Sequence, residues 1–468
     1  MSDHVLIGLA AAHLVATLLA LKQLWREKFN IVPLTVLLSC VFYLLPAWAW
    51  FLGKEDVFRY ALRFMFVYEL SGRLTTAEKA YPFLAILALA IGGLLGGLRR
   101  APVMSPPQLA DRVLVDRGRV TLLAIFISLL MIALIVYAIR SIGFSALYAN
   151  RTDYPLEACK VFLYLGPIAI ATLFAIKDRR FSLPVIFWAS MSLWMAFACM
   201  RRRDVHFVLI YCFVLYHVSG MTLKQRRMHA QRRLVSFAKY ALFGLMLLYL
   251  IAFLWYSKHI RKQLVQEGPR IVQYWTPARG VTEVVFGSGA MGFMTYCMVN
   301  EYVHSQGVAW GHCVYSVLGM PIPRAIWSSK PVLPASLLIH ELYLEMSPSV
   351  FWLNDLYLSF GQFGILIAFG IGFVGTRRYR SLLAKSGRWS KIELALATAM
   401  VIVFFKNGIA MFIALFGFAY ALLGICYVLV VRVDTASGPG TVPVARPTLP
   451  VAHSVTRRGR SEGLPTVH

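Results

Sequence analysis

Long apolar runs separated by short polar and basic segments set the rhythm of this chain. A helix needs roughly 20 apolar residues to cross a hydrocarbon core. That rule places spans near 5–21, 31–52, 81–98, 120–139, 161–176, 182–200, 205–222, 238–256, 357–375, 392–406 and 409–431. The pattern predicts an all-α, polytopic integral membrane protein with about eleven transmembrane helices. Val5 to Leu21 lacks a preceding basic region and a following small-residue cleavage site, so it is expected to remain as a first span. The apolar stretch from Leu394 to Val431 is too long for one span. Lys406, Asn407 and Gly408 interrupt it, which predicts a tight helical hairpin reaching the outer face. Tyr357 to Gly375 carries glycines at 361, 364, 370, 372 and 375, giving small-residue faces for close packing, with Asn354 or Asp355 as its N-cap.

One interval breaks the rhythm. Residues 257–356 form a loop far beyond usual connection lengths, which predicts a functional segment within a membrane domain spanning 1–433. Lys258, Arg261, Lys262, Arg270 and Arg279 dominate its beginning, whereas Glu341, Glu345 and Asp355 follow Lys330 with no further basic residue before the next span. Inside it, 284–300 and 308–322 are apolar enough to make a re-entrant pair or two extra spans. Gly319 to Pro331 reads GMPIPRAIWSSKP, and its three prolines forbid a continuous helix. Arg324, Trp327 and Lys330 therefore sit on a stiff, turn-rich backbone beside the bilayer. Fixed cations in such a place suit a phosphate. The segment 434–468 is rich in Pro, Gly, Ser, Thr and Arg, and is expected to be a disordered cytoplasmic tail.

Composition agrees with the membrane reading: of 468 residues, 59% are hydrophobic and 15% charged, with a mean hydropathy of +0.66. A formal charge of +26 raises the question of nucleic acid, but the 47 basic side chains fall in short clusters between apolar runs. That is a topological signal, and no nucleic-acid partner is expected. The clusters at 224–239 and 377–391 should be cytoplasmic, which also puts 22–28, 99–119, 177–180 and the C-terminus there and residues 257–356 outside. Arg201, Arg202 and Arg203 then fall on the outer face, where such a cluster is disfavoured, as a headgroup anchor or as a site holding an anion.

The sequence contains no Gly-rich phosphate loop, HExxH or GxSxG, and its seven cysteines show no ligand spacing. No metal or cofactor is therefore expected. Arginine suits a diphosphate because its planar donors bind oxygen pairs and it stays charged. The candidates are Arg201, Arg202, Arg203, Arg261, Arg270, Arg279 and Arg324, with Lys330 as a point charge. His340 and Glu341, in LLIHELYLEM, are candidate general bases on a short helix, or else its water-facing side. Trp327 and Tyr343 are candidates for stacking on sugars. Cys297 and Cys313 share the outer loop and are a candidate disulfide.

GMPIPRAIWSSKP resembles the Pro-Arg, aromatic and Lys-Pro pattern in the outer loop of the O-antigen polymerase family, the Wzy-type polymerases of bacterial surface polysaccharides. LNDLYLSFGQFGILIAFGIG resembles the segment opening that family's next span. MRRRDVHFVLIY resembles an Arg-bearing start of an earlier span, and YANRTDY more loosely an outer segment. The resemblance implies a multi-pass protein of the bacterial inner membrane with its active site facing the periplasm. It implies transfer of oligosaccharide repeat units from undecaprenyl diphosphate to another carrier-linked unit, with a flippase and a chain-length regulator as partners. On this resemblance Arg203, Arg324 and Lys330 hold the diphosphate. An O-antigen ligase, which uses the same donor, and a lipid-linked oligosaccharide flippase or transporter are the alternatives.

Overall fold

The computed structural model describes residues 2–27, 29–53, 73–98, 113–142, 165–166, 168–173, 210–212, 214–215, 290–319, 326–341, 350–385 and 387–433. In chain order these form α1 (Asp3–Arg26), α2 (Ile31–Phe51), α3 (Thr76–Gly96), β1 (Val113–Val115) and α4 (Arg117–Ile142). After α5 (Ala290–Gln306), α6 (His312–Gly319) and α7 (Pro334–Glu341) come α8 (Trp352–Phe360), α9 (Gly364–Ala384), α10 (Arg388–Ala399), α11 (Val401–Val430) and β2 (Val431–Val433). Among the described residues five helical stretches are long and apolar enough to cross a membrane: α1, α2, α3, Trp352–Ala384 and Asn407–Val430. The protein is thus a helical, membrane-embedded one. Among the described residues, the one departure from all-α is the antiparallel ribbon pairing Val113 with Val433 and Val115 with Val431.

Small residues seat α9 against α3. Gly92 and Gly96, four apart on α3, lie against the Phe369 and Phe373 backbone of α9, and Gly372 of α9 lies against the Leu89 and Gly93 backbone. A side chain at Gly92 would fall within 3.1 Å of the Phe373 nitrogen, and one at Gly372 within 2.9 Å of the Gly93 nitrogen. These are backbone atoms, so nothing there can swing aside. Of the glycines expected to make packing faces, Gly364 and Gly372 do so, whereas Gly370 faces open space.

The expected span at 357–375 is two elements. Gly361, at φ 56°, breaks the chain between α8 and α9. Residues 352–359 are all buried, so α8 is covered on every side rather than on one face. Neither Asn354 nor Asp355 caps it; Phe351 takes that position with no side-chain bond.

The hairpin expected at 406–408 forms. Gly408, at φ 80° and ψ −180°, ends one helical arm and starts the next. Trp389 then packs on Tyr420 (5.1 Å between ring centroids) and Tyr427 (5.3 Å), and Phe404 on Phe412 (5.3 Å). From Arg388 to the tip each arm is about 30 Å long, near the thickness of a bilayer core.

The arms define two ends of the bundle. At the basic end, Arg380 pairs with Glu27, Arg378 pairs with Glu393, and the Gly97 backbone lies against the Arg380 guanidinium. Asn30 Nδ2 donates to Glu27 Oε2 (2.7 Å) and Thr376 Oγ1 (3.2 Å), and Gln23 Nε2 donates to Gly93 O (3.0 Å). The ribbon joins the same end, through Asp116 N donating to Val430 O (3.0 Å). The basic segments at 22–28, 99–119 and 377–391 and the last span's end therefore share one side wherever they are described.

Candidate functional site

The opposite end gathers the described parts of the long central loop around α6. These parts are helical and packed rather than loop-like: Phe293, Tyr296, Cys297 and Val299 of α5 lie in the core. The described stretches of α5 and α6 are 17 and 8 residues long; α5 overlaps the apolar segment at 284–300, and α6 lies inside the one at 308–322. Gly307 (φ 83°) and Gly311 (φ 69°) turn the chain between them.

The turn is knitted to α8. Ala309 N donates to Leu358 O (3.0 Å), Gly311 N to Ser359 O (2.9 Å) and Cys313 N to Ser359 Oγ (3.0 Å), which satisfies the carbonyls at the end of α8. At the other end of α6, Gly319 is covered by Trp327, Lys330 and Pro331. His312 Nε2 donates to the Val332 carbonyl (2.8 Å). The Pro-rich segment thus starts and finishes on α6, with Lys330 half-buried and Trp327 38% exposed. Burial lowers the His312 pKa below the ordinary imidazole value, against the opposing effect of its bond to Val332. Trp310 and Tyr315 are also exposed here.

A second group lies where α5 meets the start of α3. Thr75 and Glu78 form a capping box: Thr75 N donates to Glu78 Oε2 (2.6 Å) and Glu78 N to Thr75 Oγ1 (3.3 Å). The remaining carboxylate oxygen, Oε1, lies 2.6 Å from His304 Nε2. A carboxylate only accepts, so this contact places a proton on Nε2 and fixes the orientation of the ring. Glu78 is buried while the His304 side chain is 46% exposed. The signal for the cap was present in the sequence as T-x-x-E, but its pairing with His304 was not. Glu341, exposed at the end of α7, lies near Tyr302; burial and then the Glu341 charge raise the Tyr302 pKa.

Asp355 occupies a third position. It is fully buried, and its Oδ2 accepts from Ala410 N (3.2 Å) and from Ile409 N at the start of the outgoing hairpin arm. It caps that arm, not its own helix. Asn354 beside it accepts from Tyr43 OH (3.0 Å) and donates to Gly292 O (3.1 Å). Glu27, Glu78 and Glu393 each face a basic side chain, whereas Asp355 is held by backbone N–H groups.

Of the residues expected in the site, the structure brings Trp327 and Lys330 together on α6 and places the helical backbone of His340 and the exposed Glu341 at the end of α7, which packs on α5 and α6. Arg201, Arg202, Arg203, Arg261, Arg270, Arg279, Arg324 and Tyr343 lie outside the described residues. Cys297 and Cys313 are both buried free thiols, so the candidate disulfide is absent, and burial pushes the Cys313 thiol up to about 11. Among the described residues no cluster of His, Cys, Asp and Glu could hold a metal. No family model, curated protein or solved structure matches this chain.

Proposed function

We propose that the protein is a membrane glycan polymerase that moves an oligosaccharide repeat unit from an undecaprenyl-diphosphate carrier onto another carrier-linked unit, at the periplasmic face of the bacterial inner membrane. The observation carrying this reading is a cation and an indole held on α6 at the same end as a carboxylate-oriented histidine. Lys330, with Arg324 and Arg203, faces the negative charge that develops as the sugar leaves its diphosphate. Trp327 offers a flat apolar face to a sugar ring. The acceptor hydroxyl loses its proton to a base, its oxygen forms the new bond to the anomeric carbon, and the bond to phosphate breaks with its electron pair leaving on the diphosphate. His304, with Glu78 holding Nε2–H, is equipped for that proton, and His340 and Glu341 on α7 are the competing groups.

The test uses purified protein with a lipid-linked repeat unit. A ladder of products on the carrier supports polymerisation; a single transfer to a lipid A-core acceptor indicates a ligase. His304→Ala should lower turnover by about 10²–10⁴-fold with carrier affinity nearly kept. Arg324→Ala and Lys330→Ala should weaken carrier binding. If His304→Ala stays within about tenfold of wild type while His340→Ala or Glu341→Gln does not, the base belongs to α7. A second reading, a lipid-linked oligosaccharide transporter, draws on Asp355, a buried carboxylate at a helix break in a membrane domain. Translocation without a new glycosidic bond would favour it.

A further inference from the structure

A cleft of about 480 Å³ opens where the hairpin meets α9, and Phe29, Arg378 and Glu393 of the basic end are in its lining. Leu394 and Ala397 of one arm and Phe412, Phe416 and Gly417 of the other supply apolar walls. From Phe412 to Tyr420 the wall runs about 12 Å along the helix axis. A dry apolar cavity of this shape suits hydrocarbon rather than water. Gly417 faces open space, since a Cβ there would meet nothing within 4 Å.

The mouth has different chemistry. Arg378 and Glu393 line it, and Arg378 directs Nε and Nη2 to Glu393 Oε1, so that among the described residues Nη1 has no acceptor. Arg377, next to Arg378, and Lys385, at the end of the same helix, are both exposed, so this end of α9 carries further positive charge. A guanidinium above an apolar slot at the end of membrane-spanning helices matches a phosphate ester above an acyl chain. We propose that this cleft binds one anionic glycerophospholipid, its acyl chain between the hairpin arms and its phosphate at Arg378. The bound lipid fills the gap between the hairpin and the rest of the bundle, and this role is independent of the glycan chemistry at the other end.

Full-length protein, delipidated in detergent, would be mixed with phosphatidylglycerol or phosphatidylcholine, and retained lipids counted by native mass spectrometry. Wild type should retain phosphatidylglycerol about tenfold more strongly than phosphatidylcholine. Gly417→Leu projects a bulky side chain into the slot from a position whose Cβ is unobstructed and should abolish that retention, while Gly417→Ala, the folding control, keeps it. Arg378→Gln should erase the preference between the two lipids. Equal retention of both lipids by wild type, or undiminished phosphatidylglycerol on Gly417→Leu, would overturn the proposal.

Discussion

Gly408→Ala probes the joint on which the hairpin depends. At φ 80° and ψ −180° an alanine meets a conformation that is nearly glycine-only, costing about 1–3 kcal/mol. Its Cβ would also lie 2.6 Å from Asp355 Cγ and 3.0 Å from the Val350 carbonyl oxygen. The carbonyl is backbone and cannot yield, so the Asp355 carboxylate must move and loosen its bonds to the 409 and 410 N–H groups. A hydrogen bond to a charged group contributes about 1.5–3 kcal/mol, so the whole substitution should cost about 2.5–6 kcal/mol. That is a large part of the roughly 5–15 kcal/mol by which proteins are stable. The assay is unfolding of the purified protein in detergent for wild type, Gly408→Ala, Asp355→Ala and the double variant. With the carboxylate already gone, Gly408→Ala should cost only its backbone strain, a coupling of about 1.5–3 kcal/mol between the two sites. Equal costs in both backgrounds would refute the capping role of Asp355, and a cost for Gly408→Ala below about 0.5 kcal/mol would refute the strained joint itself.

Other expectations follow from the same geometry. Gly92→Val and Gly372→Val should each separate α3 from α9 and cost about 1–3 kcal/mol or more in thermal unfolding, because the obstructing atoms are backbone. The His312 pKa is lowered in the folded protein, so the unfolded chain binds the proton more readily. Its contribution to stability is present above the ordinary imidazole value and lost as pH falls below it; His312→Gln should flatten that part of an acid titration of stability. An impermeant thiol reagent applied to intact cells, on a cysteine-free background, should label cysteines placed at 202 and 327 and spare one at 385. The reverse pattern would invert the orientation and move the site to the cytoplasm.

Hydropathy and the breakers Gly and Pro act locally, and what they control was legible. The extent of α2, the hairpin at 406–408 and the small-residue face holding Gly364 and Gly372 all appear in the chain as written, whereas α1 runs Asp3–Arg26, beyond the expected 5–21. The non-helical turn over residues 326–331 was also readable, because proline removes the helical option whatever surrounds it. Partnership was not. His304 meets Glu78 across 226 residues, Gln23 meets Thr376 across 353, and Asp355 caps an arm 55 residues further on. None of these pairs has a sequence period, since each arises from how separate helices are stacked. Asp355 shows the difference most plainly: by local pattern it read as the cap of its own helix or as an acidic loop residue. Only packing decided that α8 is buried on all sides and that the nearest unsatisfied N–H groups belong to the hairpin.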